Sequence, residues 1–372
     1  MNAPSSHPHP LANSRDNSSI PNPAEATISS RLAAPKQLLV IVLTTILIAS
    51  IADQGIAKVI GYGIGATYRR VGPKVGPQVF CAGSSDLQYS LAWPEISKRL
   101  GQGIEHTNVA GSSPEMWEKF QLDAKNIDTT IVGISVHNLN EYRISRGFAS
   151  MVPLIQTIRD LRESGTTWQV SRRVLSEYPM GYLRMLFPTA GDQDVFLVGI
   201  RRVVRQRLGL ASASADAARV LALPNDDLLD FGADEQKLSD LPRDQVLRRL
   251  SLMRSDNRGM FSFKGSKEIA LRRILDRARQ QGRVFVVVLP LSPDYIREFM
   301  TPNVTQEFEA VIAEVRHSFP TAIVVRLDNV PTLQSDDNFT DFVHMNSLGR
   351  AIATSIFIEQ LNPSPDQLAL TK

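Results

Sequence analysis

Two short segments far apart in the chain carry the residue types that a serine nucleophile and its base would need. The first is Gly83-Ser84-Ser85, and the second is Asp341-Phe342-Val343-His344. A carboxylate three residues before a histidine can turn toward the imidazole, fix its tautomer and stabilise the imidazolium that forms on protonation. A serine that gives its proton to such a histidine attacks ester carbonyls. Taken singly, the serines also fit a helix N-cap and the Asp and His fit a loop, so only the combination predicts chemistry.

Two further polar clusters contain groups that could stabilise an oxyanion. In the cluster 108–113, Gly111 allows a tight turn with an accessible backbone N–H. In the cluster 135–141, the side chain of Asn138 or Asn140 could donate an N–H to the negative oxygen of a tetrahedral intermediate. Each cluster also has an ordinary interpretation as turn chemistry.

Five short apolar runs predict the strands that must position these clusters: Gln78–Ala82, Ile104–Ala110, Thr129–Ser135, Arg283–Pro290 and Thr321–Leu327. Most of the runs are continuous rather than alternating, as in strands that are buried on both faces. Helix-like stretches separate them, and the last begins near Asn346. This alternation predicts an α/β fold with a parallel sheet and helices on both faces. In such sheets, sites form at the carboxyl ends of the strands. Three of the four polar clusters close the first three strands, and the fourth, Asp341–His344, comes before the last helix.

An insertion separates the third and fourth predicted strands, from about residue 143 to residue 265. Its helix-like patterns are Val152–Glu163, Gln169–Leu186, Val195–Leu208 and Asp244–Met253. We therefore predict a helical cap rather than more sheet. The stretch from Tyr182 to Leu208 fits either the core of that cap, which we favour, or an amphipathic helix lying on a membrane.

The order of the polar clusters resembles that of the SGNH/GDSL hydrolase superfamily. That family has a Gly-x-Ser nucleophile after the first strand, a Gly after the second, an Asn-bearing block after the third, and Asp-x-x-His near the C-terminus. This chain supplies Gly83-Ser84-Ser85, Gly111, the Asn138 region and Asp341-x-x-His344 in that order. The resemblance covers about residues 77–361 and is strongest to the exported branch, which includes proteins similar to alginate acetylation and teichoic-acid D-alanyl transfer proteins. It implies a flavodoxin-like, three-layer SGNH-type parallel sheet in a domain of residues 77–362.

The resemblance also implies roles for individual residues. Ser85 would be the nucleophile, His344 the general base and Asp341 the carboxylate that orients it. The backbone N–H groups of Ser85 and Gly111 would form the oxyanion hole together with the Asn138 side chain.

Two of these assignments have alternatives within the sequence. The third block has Ser-Val-His-Asn where the family has Gly-x-Asn-Asp, so His137 and Asn140 remain alternatives to Asn138. Ser84 is the alternative nucleophile, but the spacing from Gly83 favours Ser85.

The N-terminal part of the chain predicts a membrane anchor. Residues 1–35 are rich in Ser, Pro, Asn and Ala, and we expect a disordered cytoplasmic tail. Leu38–Ala52 is an uncharged run of about 15 residues that can be extended to form a span and juxtamembrane segment over residues 36–66. Arg31 and Lys36 precede it, which favours an N-terminus in the cytoplasm. The long tail before the run favours an uncleaved signal anchor, which places the body outside the cytoplasm. A signal peptide cut after Ala52 is the alternative, and a buried core helix is a less favoured one.

Composition excludes several other classes of function. The 372 residues include 41 Lys and Arg against 38 Asp and Glu, a net charge of +3, so we expect no nucleic-acid partner. Cys81 is the one cysteine, which excludes an internal disulfide and a Cys-based zinc site. Two of the six histidines, His7 and His9, lie in the tail, and we expect no metal and no cofactor.

The resemblance therefore implies a membrane-anchored serine acyltransferase or esterase acting on an exported polysaccharide, by O-acetyl transfer or removal. The expected partners are a cell-envelope acceptor, the membrane and a membrane protein that supplies the acyl group. The unusual third block leaves open a non-catalytic scaffold that binds polysaccharide or an assembly partner. A third hypothesis is a lipid esterase, which is favoured if the cap is apolar and open toward the membrane.

Overall fold

The computed structural model of the chain describes residues 23–59, 68–71, 76–107, 111–145, 148–187, 236–257 and 259–361. The predicted helix Val195–Leu208 and the first residues of the cluster 108–113 lie outside this part of the chain. So does the predicted tail up to residue 22.

A six-stranded sheet forms the centre of the body: β1 Tyr68–Val71, β2 Gln78–Ala82, β3 Gly103–Thr107, β4 Ile127–Ile134, β5 Arg283–Val288 and β6 Ile323–Arg326. The strand order is β1-β3-β2-β4-β5-β6. β1 pairs antiparallel with β3, and the other five strands are parallel. The five predicted strands and the α/β class are confirmed. β1 was not predicted, because two of its four residues are arginines and no apolar run marks it.

The parallel strands β3-β2-β4-β5-β6 follow the order found in flavodoxin-like sheets. The chain moves from β2 outward to β3, then crosses back to place β4 on the other side of β2. The topological switch point, where the chain changes the side on which it adds strands to the sheet, therefore lies between β2 and β4. In open α/β sheets, ligands bind in the crevice at the carboxyl ends of the strands at this switch point.

Fourteen helices are described: α1 Pro23–Val59, α2 Ser85–Ser90, α3 Trp93–Leu100, α4 Pro114–Asp123, α5 Val136–Leu139, α6 Phe148–Met151, α7 Leu154–Glu163, α8 Trp168–Leu175, α9 Tyr178–Leu186, α10 Arg243–Asn257, α11 Ser266–Gln281, α12 Pro293–Phe299, α13 Pro302–Ser318 and α14 Ser347–Leu361. Helices α4, α7 and α11 form one packed group, and α2, α3 and α14 form another. The apolar residues of β2 and β5 are all buried, as expected for strands covered on both faces.

Cys81 in the middle of β2 belongs to this core. Its side chain is 2% exposed. Burial raises the pKa of the thiol well above its ordinary value, so it remains protonated and unreactive.

The described parts of the insertion, 148–187 and 236–257, contain helices and turns but no strand. The stretch Gln169–Leu186, which we predicted as one helix, forms two, α8 and α9. Pro179 explains the break, because proline lacks a backbone N–H and is favoured in the first turn of a helix over its interior.

One N-terminal helix is long and apolar enough to cross a membrane. The candidate span, Lys36–Ile56, lies within α1. The large apolar side chains of the span are between 42% and 64% exposed, so this is not a core helix of the body. The helix begins at Pro23, inside the tail that we expected to be disordered up to residue 35. Ala24, Ala26, Leu32 and Ala33 are good helix formers and account for this earlier start.

Candidate active site

Ser85, His344 and Asp341 form a continuous hydrogen-bonded chain at the carboxyl end of the sheet. The Ser85 hydroxyl lies 2.7 Å from His344 Nε2. His344 Nδ1 lies 2.6 Å from Asp341 Oδ2. With the Nδ1 proton held by the carboxylate, Nε2 is left as the acceptor for the serine proton. These three side chains, which are 259 and three residues apart in sequence, are therefore arranged as nucleophile, base and orienting acid.

The turn after β2 places Ser85 at the start of α2. Ser84 is the N-cap and has extended backbone, so the chain changes from strand to helix within two residues. Gly83 is required because a Cβ there would lie 2.4 Å from the Leu87 Cδ2 atom. Ser85 itself remains partly exposed, while Ser84 and Asp86 on either side are buried. The hydroxyl of Ser85 is thus the one that this turn presents to solvent.

A rigid loop holds the acid and the base. Asp341 Oδ1 accepts from the backbone N–H groups of Val343 and His344, both at 2.9 Å. The Phe342 carbonyl accepts from Ser292 N at 3.0 Å, which fastens the loop to the carboxyl end of β5. His344 O accepts from Thr340 N at 2.9 Å. These backbone hydrogen bonds fix the conformation of the loop, and both ring nitrogens of His344 remain available for Asp341 and Ser85.

Asp341 and His344 each favour the charged form of the other. Burial raises the pKa of Asp341, but the charge and hydrogen bond of His344 with the two backbone N–H groups outweigh it and lower the pKa to about 2. For His344, burial lowers the pKa, and the Asp341 carboxylate outweighs it, so the pKa lies above its ordinary value of 6.5. The imidazolium formed during proton transfer is stabilised by the same carboxylate.

Asp86 is a site residue that the sequence analysis missed. Its carboxylate accepts hydrogen bonds from the Ser84 hydroxyl, from Leu87 N at 2.9 Å, and from the Ser135 hydroxyl at 2.8 Å. Asn138 Nδ2 donates to the same carboxylate at 3.1 Å. The carboxylate thereby fastens the turn after β2 to the turn after β4. Its place directly after Ser85 was visible in sequence, but its partners come from a distant turn.

The Ser84 bond to Asp86 also bears on the choice of nucleophile. Ser84 is 3% exposed and its hydroxyl points into the Asp86 cluster. The hydroxyl that contacts His344 belongs to Ser85.

Asn138 is close to the site, but its amide protons are directed elsewhere. One proton goes to Asp86, and the other goes to the Gly133 carbonyl at 3.1 Å. Its Oδ1 accepts from Ser135 N at 2.9 Å, and Ser135 Oγ accepts from Asn138 N at 3.1 Å, a reciprocal capping box. In this arrangement Asn138 builds the turn after β4 and offers no proton to an oxyanion.

The two alternatives in this block are placed differently. Asn140 Nδ2 donates to the Met260 carbonyl at 2.9 Å, so it fastens the block to the insertion. The ring of His137 stands edge-on to Tyr295 with centroids 6.1 Å apart. Burial, followed by the charges of Arg143, His344 and Lys267, lowers the pKa of His137 well below 6.5, so this ring is neutral.

Gly111 lies in the turn after β3, next to the turn that carries Ser85. It has φ +70, a left-handed conformation that favours glycine. The Ser112 hydroxyl donates to the Gly83 carbonyl at 3.4 Å and so links the two turns. A Cβ on Gly111 would lie 3.3 Å from Arg143 Nη2. Arg143, the first residue of the insertion, was not predicted, and its charge lowers the pKa of His344.

Among the described residues, no group of three or more His, Cys, Asp or Glu side chains could hold a metal ion. A cavity of about 660 Å³ lies between the insertion, α11 and α13, and Tyr142, Phe263 and Val315 are among its lining residues. It contains none of Ser85, Asp341 and His344.

No protein-family model matches the chain, and no curated protein sequence matches it. The function is therefore inferred from the geometry of the Ser85–His344–Asp341 cluster and from the resemblance of the sequence motifs to the SGNH/GDSL superfamily.

Proposed function

We propose that the protein is a membrane-anchored serine acyltransferase or esterase of SGNH type, acting on an exported polysaccharide. The observation that carries the proposal is the unbroken hydrogen-bonded chain from Ser85 through His344 to Asp341. The position of this chain at the switch point of the sheet supports it, because ligands of open α/β folds bind there.

The reaction would proceed through an acyl-enzyme. Ser85 Oγ attacks the carbonyl carbon of the acyl donor, and its proton passes to His344 Nε2. When the tetrahedral intermediate collapses, the bond to the leaving alcohol breaks and His344 returns the proton to that alcohol. A sugar hydroxyl or water then gives a proton to His344 and attacks the acyl-enzyme. The bond between the acyl carbon and Ser85 Oγ breaks, His344 returns the proton to Ser85 Oγ, and the new ester or the free acid is released.

The oxyanion of each tetrahedral intermediate needs donors that are already in place. The backbone N–H of Ser85, at the start of α2, and that of Gly111, in the adjoining turn, are the proposed donors. Asn138 is left out of the direct set because both of its amide protons are bonded within the turn after β4. It would act through Asp86 and the α2 turn as a positioning residue.

The choice between transfer and hydrolysis depends on access of water to the acyl-enzyme. The helical insertion, 143–265, begins with Arg143 beside Gly111 and so borders the proposed site. A cap at this place favours transfer to a polysaccharide hydroxyl, with a separate membrane protein supplying the acyl group. Exposed apolar side chains on α9 favour one alternative, a lipid esterase. The scaffold hypothesis is less favoured because all three side chains of the triad are in contact.

The body is proposed to lie on the outer side of the cytoplasmic membrane, because Arg31 precedes the candidate span and Lys36 is its first residue. A reporter enzyme fused after Lys372 would test this directly. A reporter that works only outside the cytoplasm should be active, and activity of one that works only inside would contradict the orientation.

The nucleophile is tested with a fluorophosphonate probe on the purified full-length protein. Ser85 should be labelled, and Ser85→Ala should abolish labelling. Ser84→Ala is the matched control and should keep it. An unlabelled wild-type protein with native secondary structure would contradict enzymatic function and favour the scaffold. An activated acetyl ester, offered with and without oligosaccharides, then separates transfer from hydrolysis by the appearance of acetylated sugar.

A further inference from the structure

Helix α9 is apolar on almost every side. Its sequence is Tyr-Pro-Met-Gly-Tyr-Leu-Arg-Met-Leu, with Arg184 as the one charged residue. Five of its large apolar side chains are between 44% and 49% exposed: Met180, Tyr182, Leu183, Met185 and Leu186. A surface helix normally turns a polar face to water, and a helix that is apolar all round is covered by protein or lipid. Something other than water therefore surrounds most of α9.

One narrow side of α9 is covered by the body. Tyr178 is buried, and its hydroxyl donates to the Val152 carbonyl at 3.0 Å. Gly181 approaches α6 so closely that a Cβ there would lie 2.3 Å from Ala149 Cβ. This packing holds α9 firmly on the body, and the five exposed side chains lie outside it.

The end of α9 is bonded to the candidate membrane span. The Ser50 hydroxyl donates to the Leu186 carbonyl at 2.7 Å, and Gln54 Nε2 donates to the Met185 carbonyl at 2.6 Å. The last carbonyls of a helix have no partner within the helix, and here side chains of α1 satisfy two of them. Ser50 is also the one buried residue of the span, and Asp53 is half-buried, whereas the other residues of the span are exposed. The two helices therefore meet at the outward end of the span.

The position of Ser50 sets the depth of this contact. Ser50 precedes Ile56, the last residue of the span, by six residues. At a rise of about 1.5 Å per residue, that places Leu186 roughly 9 Å inward from the outer end of the span. Amphipathic helices that lie on membranes bury their apolar side chains by roughly 5–10 Å. The two depths agree.

We propose that α9 is a second membrane contact, lying in the outer lipid interface with Leu183, Met185 and Leu186 among the acyl chains. The occupant of the exposed surface is lipid, because this surface is continuous with that of the span through Ser50 and Gln54. Arg184 can extend its guanidinium toward lipid phosphates, as arginines do near a membrane surface. The proposal rests on the candidate span and is independent of the acyl chemistry.

Such a contact fixes the orientation of the body on the membrane. A body attached by a single span can tilt relative to the membrane. A second contact through an interfacial helix that is bonded to the span restricts that tilt. α9 packs on α6, which follows the loop carrying Arg143 beside the Gly111 turn. The proposed site is thus held at a constant height and angle relative to the membrane.

The test measures where single side chains lie in a bilayer. In a Cys81→Ala background, nitroxide labels are attached to Leu183→Cys, Leu43→Cys and Ile155→Cys in the full-length protein. Leu43 lies within the span, and Ile155 on α7 is an apolar side chain, 75% exposed, that the proposal leaves in water. The protein is placed in vesicles of phosphatidylcholine and phosphatidylglycerol. Collisions of each label with oxygen and with a water-soluble nickel chelate are then compared.

The label at Leu183 should collide freely with oxygen and at least about fivefold less often with nickel than the label at Ile155, because nickel is excluded from lipid. Leu186→Cys is a second position with the same expectation. Nickel access at Leu183 equal to that at Ile155, with Leu43 in lipid, would overturn the proposal and leave the span intact. Exclusion of both reagents at Leu183 would show that protein covers α9, which also overturns it. Nickel access at Leu43 would overturn the span and the proposal together.

Discussion

Asn138 donates its side-chain amide to the Asp86 carboxylate at 3.1 Å, and this bond joins the turns at the ends of two neighbouring strands. Asp86 follows β2 and Asn138 follows β4, and the topological switch point of the sheet lies between these two strands. The buried Asp86 carboxylate accepts four hydrogen bonds and holds the two turns in place, since each donor would be costly to leave unpaired. Ser85 directly precedes Asp86, so the position of the Ser85 hydroxyl depends on these bonds.

Asp86→Asn should reduce the fluorophosphonate labelling rate of Ser85 by about a hundredfold, because small displacements of a nucleophile have effects of that size. The new amide would set its own N–H groups against those of Asn138 and shift α2. Asp86 also contributes to the raised pKa of His344, so the acid limb of the pH profile should move to lower pH. A purely structural role would leave that limb in place.

Asp128→Asn is the matched control for this variant. Asp128 lies at the opposite end of β4 and accepts from Gln102 Nε2 at 2.8 Å. Its substitution makes the same chemical change far from Ser85. Equal losses of labelling in both variants would contradict a specific role for Asp86.

Removing members of the triad should have effects that do not add. Ser85→Ala and His344→Ala should each reduce ester cleavage by about a thousandfold or more, and the double variant should lose no more than either one. Each single change already abolishes the same proton transfer. The rates are measured with an activated acetyl ester, and additive losses in the double variant would show that the two residues act in separate steps.

The pH dependence of labelling follows from the charge around His344. The neutral ring is the base, so the rate falls as the pH decreases through a pKa that lies above 6.5. Asp341→Asn removes the charge that raises this pKa, so the acid limb should move to lower pH. Arg143→Gln removes a charge that lowers it, so the limb should move to higher pH. Rate–pH profiles of the three proteins check the signs, and shifts in the same direction would contradict this account.

Sequence patterns predicted the five parallel strands because most of them are continuous apolar runs between polar segments. The resemblance in the order of the polar clusters implied that Ser85, Asp341 and His344 would meet, although no strand ends directly before Asp341 and His344. β1 is not predicted by the sequence pattern, because Tyr-Arg-Arg-Val has no apolar periodicity and forms a strand only by pairing with β3. An edge strand of this kind is specified by its neighbour rather than by its own residues.

The rest of the site depends on contacts that no local pattern encodes. Asp86 was passed over because its partners, Ser135 and Asn138, come from a turn about 50 residues away. Asn138 was assigned to the oxyanion from its residue type, but its amide protons are bonded to Asp86 and Gly133. Arg143 reaches Gly111 only because the insertion folds back over the sheet edge. Each depends on which turns become neighbours after folding.

Arg273 on α11 links helix α7 of the insertion to helix α4 of the sheet domain. Its guanidinium binds Asp160 on α7 with bonds of 2.8 and 2.7 Å and Glu118 on α4 with two bonds of 2.8 Å. The Asp160 side chain is 1% exposed and that of Glu118 is 7% exposed. Arg273→Met would leave the buried Asp160 carboxylate without its cation, and Glu118 would keep only Arg277, whose Nη2 lies 3.6 Å from Glu118 Oε1. Breaking a buried pair in this way costs about 3–5 kcal/mol, so the free energy of unfolding should decrease by that amount.

Arg272→Met is the matched control on the adjacent residue of α11. Arg272 is 46% exposed and pairs with Glu268 one helical turn away, an arrangement worth about 0.3–0.5 kcal/mol. Thermal or denaturant unfolding of the full-length protein should therefore separate the two variants clearly. Protease cleavage within the insertion should also accelerate in Arg273→Met alone, because α7 is released from α4 and α11. Equal stability of the two variants would mean that the buried carboxylates find other partners or become protonated without cost.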